Sequence, residues 1–239
     1  MKAVILAAGV GKRLWPITQH KPKCLIEFGG RTLLYRYLET LASLGVRRAT
    51  IVVGYKQAMI RAAVDGNSCG VSVEYLVNDQ FHRGSISSLW IARPALDDDV
   101  VIMDADVLFH RDILRRLVQS SSPNCLLMDE TVTQQGEECM VVVQGGRVIA
   151  LTKKMPSRYD YAGEGVGFLR VRRADTPAVI NSLKHYVDRE VWDMEYEDGL
   201  LEFFGQVNVG HEKIGGLPWT EIDFPEDVTR AERDIVPKL

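Results

Sequence analysis

The chain has 239 residues, 46% apolar and 26% charged, with 29 basic and 32 acidic side chains giving a net charge of −3. That length supports a sizeable α/β core, and the mixed, nearly balanced charges leave no basic footprint for nucleic acid. No segment approaches the roughly 18 apolar residues of a membrane span, and Val4-Ile5-Leu6-Ala7-Ala8 is too short for a signal-peptide core, so a cytoplasmic protein with no membrane partner is expected.

Residues 2–6 read as a buried strand running into a loop over 7–22. Apolar residues at helical spacing (Leu33, Leu34, Tyr37, Leu38, Leu41, Leu44) predict a helix over 32–44 that stops at Gly45. Strands follow over 49–53, 71–76 and 100–103, with helices over 56–64, 85–92 and 111–118. This βαβαβαβ rhythm implies a mostly parallel sheet with helices on both faces. After Asn124 the rhythm changes to short strands over 125–128, 140–143 and 148–151, the last two joined by Gln144-Gly145-Gly146-Arg147 as a hairpin. A strand over 165–171, a helix over 175–183 and extended pieces over 206–210 and 219–223 come next. A closing helix over 225–233 has Pro225 in its first turn. No repeat, low-complexity tract or linker divides the chain, so residues 1–239 read as one domain. Cys24, Cys69, Cys125 and Cys139 form no CxxC pair, and four free thiols are expected.

The loop after the first strand carries Ala7-Ala8-Gly9-Val10-Gly11-Lys12-Arg13-Leu14, followed by Lys21-Pro22-Lys23-Cys24-Leu25. Glycines after a strand let backbone N–H groups converge on a phosphate oxygen. Arg13 and Lys23 can then neutralise a triphosphate and the charge growing on a leaving pyrophosphate. An ordinary glycine turn with solvated basic residues is the alternative. Neither G-x-x-x-x-G-K-[ST] nor a helix-opening G-x-G-x-x-G is present.

Leu6-Ala7-Ala8-Gly9-x-Gly11-x-Arg13-Leu14 with Lys21-Pro22-Lys23-x-Leu25 resembles the signature of the nucleotidyltransferases that make sugar nucleotides and CDP-alcohols. The resemblance implies a Rossmann-like doubly wound mixed sheet of the α/β class, with a small substrate-facing subregion. It implies Arg13 and Lys23 as catalytic residues on the triphosphate, and Leu6, Ala8, Gly9 and Gly11 around the nucleotide.

The apolar strand over 100–103 ends in Asp104-Ala105-Asp106. Carboxylates at the C-terminal end of a parallel strand sit where open α/β sheets bind ligands, and Mg²⁺ takes carboxylate oxygens together with substrate phosphates. Solvated acids on a strand leaving the core are the alternative. By resemblance, Asp106 is the metal-binding aspartate of a D-x-D, and Asp104 shapes the loop or reaches the ribose. Trp219-Thr220-Glu221-Ile222-Asp223 is similar to the W-x-E-I-D ending of choline-phosphate and related cytidylyltransferases, which makes Asp223 a second ligand. Glu221, two residues earlier on an extended segment, shares its face. A helix cap is the alternative for Asp223, and Glu226 and Asp227 fall in the first turn of the closing helix, where acids suit the dipole.

Gly84-Ser85-Ile86-Ser87-Ser88-Leu89 stands where related cytidylyltransferases carry N-N-x-x-S-L. Ser88 matches the serine that contacts cytosine. Gly84 and Ser85 replace the asparagines and look more like the glycine–threonine pair of uridine and thymidine enzymes; a helix cap is the other reading of Ser85. From Met128 onward, Asp129, the run beginning Glu137-Glu138-Cys139, Leu151-Thr152-Lys153 and Gly163-Glu164-Gly165-Val166-Gly167 resemble the phosphocholine and aminoethylphosphonate branch. Lys153 then grips the acceptor phosphate or phosphonate, with Lys154 as the alternative, and Glu164 lies beside it. Trp192, Tyr196 and Asp198 resemble an aromatic and acidic wall that holds an amine; core packing and a solvated helix surface are the alternative. The five histidines form no metal-spaced pair.

The expectation is a Mg²⁺-dependent cytidylyltransferase that moves CMP from CTP to a small phosphorylated alcohol or phosphonate and releases pyrophosphate. Residues 1–125 would bind the nucleotide, and 126–239 would supply the acceptor side and the second metal ligand. A homodimer is compatible with this reading. The alternatives are a sugar-1-phosphate nucleotidyltransferase using UTP or dTTP, and a nucleotide-binding regulatory module without catalysis.

Overall fold

A computed structural model describes residues 1–136 and 138–239; Glu137 lies outside the described residues. The first strand, β1 (Lys2–Ala7), is flanked by β2 (Arg48–Val53) and β4 (Val100–Asp104), with β3 (Ser72–Val77) beyond β2, all parallel. The second half adds β6 (Cys125–Asp129), β7 (Met140–Gln144), β8 (Arg147–Thr152), β9 (Tyr161–Val171) and β10 (Gly210–Lys213). Among the described residues these nine strands form one sheet of order β8-β7-β9-β4-β1-β2-β3, with β6 paired to β9 and β10 to β6. Strand β9 runs antiparallel to β4, β6 and β7. The sheet is therefore mixed: β1 to β4 pair in parallel, β9 is antiparallel to its neighbours, and β10 runs parallel to β6 at the far side.

Side chains on β1 alternate between two cores. Ala3, Ile5 and Ala7 pack with helices α1 (Leu33–Ser43), α2 (Gln57–Gly66) and α4 (Arg111–Gln119) on one face. Val4 faces the other side, against α3 (Ile86–Ile91), α5 (Thr176–Val187) and the helix Leu201–Gln206. Burial on both faces explains the continuous apolar runs of β1 and β4, and each fully buried Val, Ile or Met contributes about 1.5–3 kcal/mol. Cys24 and Cys125 are buried, and all four cysteines are free thiols.

Two expectations need correction, and one pairing is new. Residues 206–210 are not extended throughout, because the apolar residues Phe203 and Phe204 bury a helix that runs to Gln206, and the strand begins at Gly210. Strand β9 starts at Tyr161 rather than at 165, since residues 161–164 pair with β7. The short strand β5 (Val107–Phe109) pairs with β11 (Trp219–Glu221) in a separate two-stranded ribbon. That ribbon carries the far end of the chain to the end of β4. No helix among the described residues is long and apolar enough to cross a membrane.

Candidate active site

A cavity of 850 Å³ opens at the C-terminal ends of β1 and β4, within the size range of small-molecule sites and at the edge where open α/β sheets take ligands. One wall includes Leu6, Ala8, Gly9, Gly11, Arg13 and Lys23. The loop after β1 is held from outside: Tyr55 N–H donates to Ala8 O at 2.9 Å, and Thr18 Oγ1 to Gly11 O at 2.6 Å. Gly11 has φ +64, and a Cβ there would meet Thr18 Cγ2 at 3.3 Å, so both conformation and space favour glycine.

Asp106, Glu221 and Asp223 meet in this cavity. Pairing of Glu221 with Val107 and an Ile222 N–H to Asp106 O bond of 3.0 Å bring the chain end beside Asp106. The buried Tyr37 hydroxyl steadies the turn from beneath, 2.9 Å from the carbonyl oxygens of Asp104 and Val107. One carboxylate oxygen from each of the three acids lies within 4.8 Å of the others. Lys23 Nζ bridges two of them, 2.8 Å from Asp106 Oδ2 and 2.5 Å from Asp223 Oδ1. Arg13 Nη2 donates to Asp223 Oδ2 at 2.8 Å. Burial alone would lower the Lys23 pKa, but Asp106 and Asp223 outweigh it and hold the ammonium above its ordinary value. Desolvation and repulsion from Asp106 and Asp223 push Glu221 up to about 8. Its side chain is exposed to the cavity, so the repulsion is the part that a cation would relieve.

Asp223 does not cap the closing helix (Pro225–Arg230). Asp227 accepts from the backbone N–H groups of Asp223 and Phe224 at 2.9 and 2.7 Å and leaves the Asp223 carboxylate free for the cations. Asp104 is engaged by the second half of the chain: Tyr196 Oη donates to its Oδ2 at 2.9 Å. Burial, with Glu197 and Asp106 nearby, raises the Asp104 pKa well above the carboxylate range. Gly167, at φ +80, lets this carboxylate lie close, since a Cβ there would stand 2.8 Å from Asp104 Oδ2.

Ser88 is buried on the cavity wall, and its Oγ accepts from Asn78 Nδ2 at 3.0 Å. Gly84 and Ser85 also border the cavity. The Ser85 side chain makes no cap to α3; its hydroxyl is taken up by residues 195 and 196.

Lys153 and Glu164 also line the cavity, with Asp129, Glu138, Cys139 and Arg230. Asp129 is satisfied by Trp219 Nε1 at 2.8 Å and by Thr131. Burial, Glu138 and Asp129 push Glu164 up to about 7. The expected aromatic wall is assembled differently. Tyr196 reaches the cavity, but as a buried residue whose hydroxyl is bound to Asp104, while Trp192 and Asp198 are not among the lining residues. Glu195 and Glu197 occupy that stretch of the wall instead. Glu197 Oε2 is buried without a hydrogen-bond partner among the described residues, and burial, with Glu195 and Asp106, pushes its pKa up to about 8. Sequence reasoning missed Glu197 and Arg230, since in a run as acidic as Glu195-Tyr196-Glu197-Asp198 spacing does not reveal which residue turns inward.

A profile described as "Nucleotidyl transferase" matches residues 2–152. The CMP-5'-(3-aminopropyl)phosphonate synthase of Streptomyces rubellomurinus is 28% identical over 245 residues, covering 97% of this chain and 38% of the relative. The CTP:phosphoglutamine cytidylyltransferase of Campylobacter jejuni is 22% identical over 252 residues, covering 95% and 98%. The chain spans about half the length of several other curated relatives. In fold, it is similar to the CTP:phosphocholine cytidylyltransferase of Streptococcus pneumoniae, with a TM-score of 0.75 and 21% identity over 97% of both chains. The matched segment, more than half of the chain, carries the glycine loop, Lys23 and the β4 acids, and the chain belongs to the nucleotidyl transferase family.

Proposed function

We propose that this chain transfers CMP from CTP to a small acceptor bearing a phosphate or phosphonate, of the phosphocholine or 2-aminoethylphosphonate type. The observation that carries the reading is the convergence of Asp106, Glu221 and Asp223 with Lys23 and Arg13 in one cavity. Relatives named for CMP–phosphonate synthesis and for CTP:phosphoglutamine cytidylyl transfer, each aligned over almost this whole chain, support cytidine and a phosphate-type acceptor.

In this reading an acceptor oxyanion attacks the α-phosphorus of CTP in line. The new P–O bond forms as the bond to the bridging oxygen of the β-phosphate breaks, and pyrophosphate leaves. The acceptor oxygen is already ionised near neutral pH, so no enzyme base is required. Arg13 and Lys23 neutralise the triphosphate and the growing charge on pyrophosphate. Lys153 holds the acceptor phosphate, and the backbone of Ala8 and Gly9 faces base and ribose. Catalysis here is orientation plus charge neutralisation.

The residues fit a divalent cation. Their donors are hard carboxylate oxygens, Asp106 Oδ1 is buried with no partner among the described residues, and an ammonium already lies between Asp106 and Asp223. Mg²⁺ held by Asp106 and Asp223, with Glu221 beside them, would polarise a phosphoryl oxygen and screen phosphate charge. The test is pyrophosphate release with each of four NTPs against phosphocholine, 2-aminoethylphosphonate, inositol phosphate, glycerol phosphate and hexose-1-phosphates. Turnover confined to UTP or dTTP with a hexose-1-phosphate would replace this reading with sugar-nucleotide synthesis.

A further inference from the structure

Residues 83–86 and 192–196 are zipped together along the cavity edge. Gly84 N–H donates to Trp192 O at 2.9 Å, and Ile86 N–H to Met194 O at 3.3 Å. The Arg83 guanidinium grips Asp193 through two bonds of 3.1 and 3.0 Å. Ser85 Oγ donates to Glu195 Oε2 at 2.5 Å and accepts from Tyr196 N–H at 2.8 Å. A Cβ on Gly84 would stand 2.0 Å from Met194 O and 2.4 Å from Met194 N, a distance at which backbone must move. Only glycine allows this approach.

A serine hydroxyl has one proton to donate, and that of Ser85 is already committed to Glu195. Every partner that Gly84 and Ser85 make in this zipper lies between residues 192 and 196. Within it, Tyr196 is anchored to Asp104, and one residue further Glu197 enters the cavity wall, its Oε2 without a partner among the described residues. We propose that Gly84 and Ser85 are positioning residues for the acceptor side of the cavity, setting Tyr196 and Glu197 in place, and do not read the base. The glycine and serine that stand where related enzymes carry asparagines therefore report on the acceptor wall and not on a uridine or thymidine substrate. This rests on the nucleotidyl transfer proposed above.

The test compares Ser85→Ala, Gly84→Ala and the hydroxyl-retaining Ser85→Thr with the parent, with each substrate varied in turn. Ser85→Ala removes both hydrogen bonds of the hydroxyl, and loss of the one to the charged Glu195 alone corresponds to roughly tenfold. Ser85→Ala is expected to raise the acceptor KM by at least about that factor, and Gly84→Ala, whose Cβ forces Met194 backbone away, to raise it further; both leave the CTP KM and the ranking of the four NTPs unchanged, and Ser85→Thr is expected to restore the acceptor KM. A higher CTP KM or a changed NTP ranking in Ser85→Ala, with the acceptor KM unmoved or moved equally, overturns the proposal. Amide exchange keeps it testable apart from turnover. Faster exchange at Tyr196 and Glu197 in Ser85→Ala, with CTP affinity by calorimetry unchanged, supports it, and weakened CTP affinity with unchanged exchange overturns it. A parent protein that releases no pyrophosphate with any pair refutes the transfer reading, while the exchange and calorimetry still decide the role of Ser85.

Discussion

Lys23→Met keeps most of the lysine stem and removes the ammonium that bridges Asp106 and Asp223. Asp106 then loses the one hydrogen-bond donor that its side chain has among the described residues, whereas Asp223 keeps Arg13. Breaking a buried ion pair costs about 3–5 kcal/mol, and an exposed pair about 0–1. The three side chains are 16–23% exposed, and one of the two acids keeps a partner, so a loss of about 2–3 kcal/mol is expected at pH 8. For a chain of this size that corresponds to roughly 5–10 °C in Tm. Urea denaturation at pH 8 measures the loss. Added Mg²⁺ should restore stability to the variant at pH 8, because a ligand that binds the folded state raises its apparent stability. A variant within about 0.5 kcal/mol of the parent at pH 8 and indifferent to Mg²⁺ would refute the claim that these acids form a cation site.

Glu164 offers an independent pH test away from Asp106, Glu221 and Asp223. Its folded pKa of about 7 lies above the ordinary 4.5, so its ionisation destabilises the folded protein as pH rises from about 4.5 through 7. Glu164→Gln should match the parent near pH 4 and exceed it by about 1–2 kcal/mol at pH 8, a figure reduced from the full linkage value because the side chain is partly exposed. Equal stability at both pH values in thermal melts would contradict this. Asp106→Asn and Asp223→Asn should lower pyrophosphate release by at least about 100-fold with far-UV circular dichroism unchanged. Near-parent activity in either would remove that residue from the reaction. Gly167→Ala should destabilise by about 1–3 kcal/mol, since residue 167 has φ +80 and its new Cβ would press on Asp104 Oδ2. An unchanged Tm would show that the backbone relaxes there without loss.

The parallel half of the fold was legible because β1, β2 and β4 are buried on both faces and read as unbroken apolar runs. Helices such as α1 carry their period in Leu34, Tyr37, Leu38 and Leu41. The second half was harder: β9 is an eleven-residue strand that changes partners along its length, and local periodicity carries no record of pairing. The acids Asp106 and Asp223 could be named from their motifs. What joins them is a three-residue ribbon, β5 with β11, too short to give a pattern of its own. The wall over 192–198 was legible in position but not in orientation. An aromatic residue beside acids fits an amine site, a core or a surface equally well, and only packing shows Tyr196 buried against Asp104 with Glu197 turned inward.

Pyrophosphate release by the purified chain with CTP, Mg²⁺ and 2-aminoethylphosphonate or phosphocholine tests the central claim most directly. The account predicts turnover that requires both CTP and the acceptor, with the corresponding CDP-alcohol or CMP–phosphonate as product. Release with UTP or dTTP and a hexose-1-phosphate, and none with CTP and any phosphoalcohol or phosphonate, would contradict it.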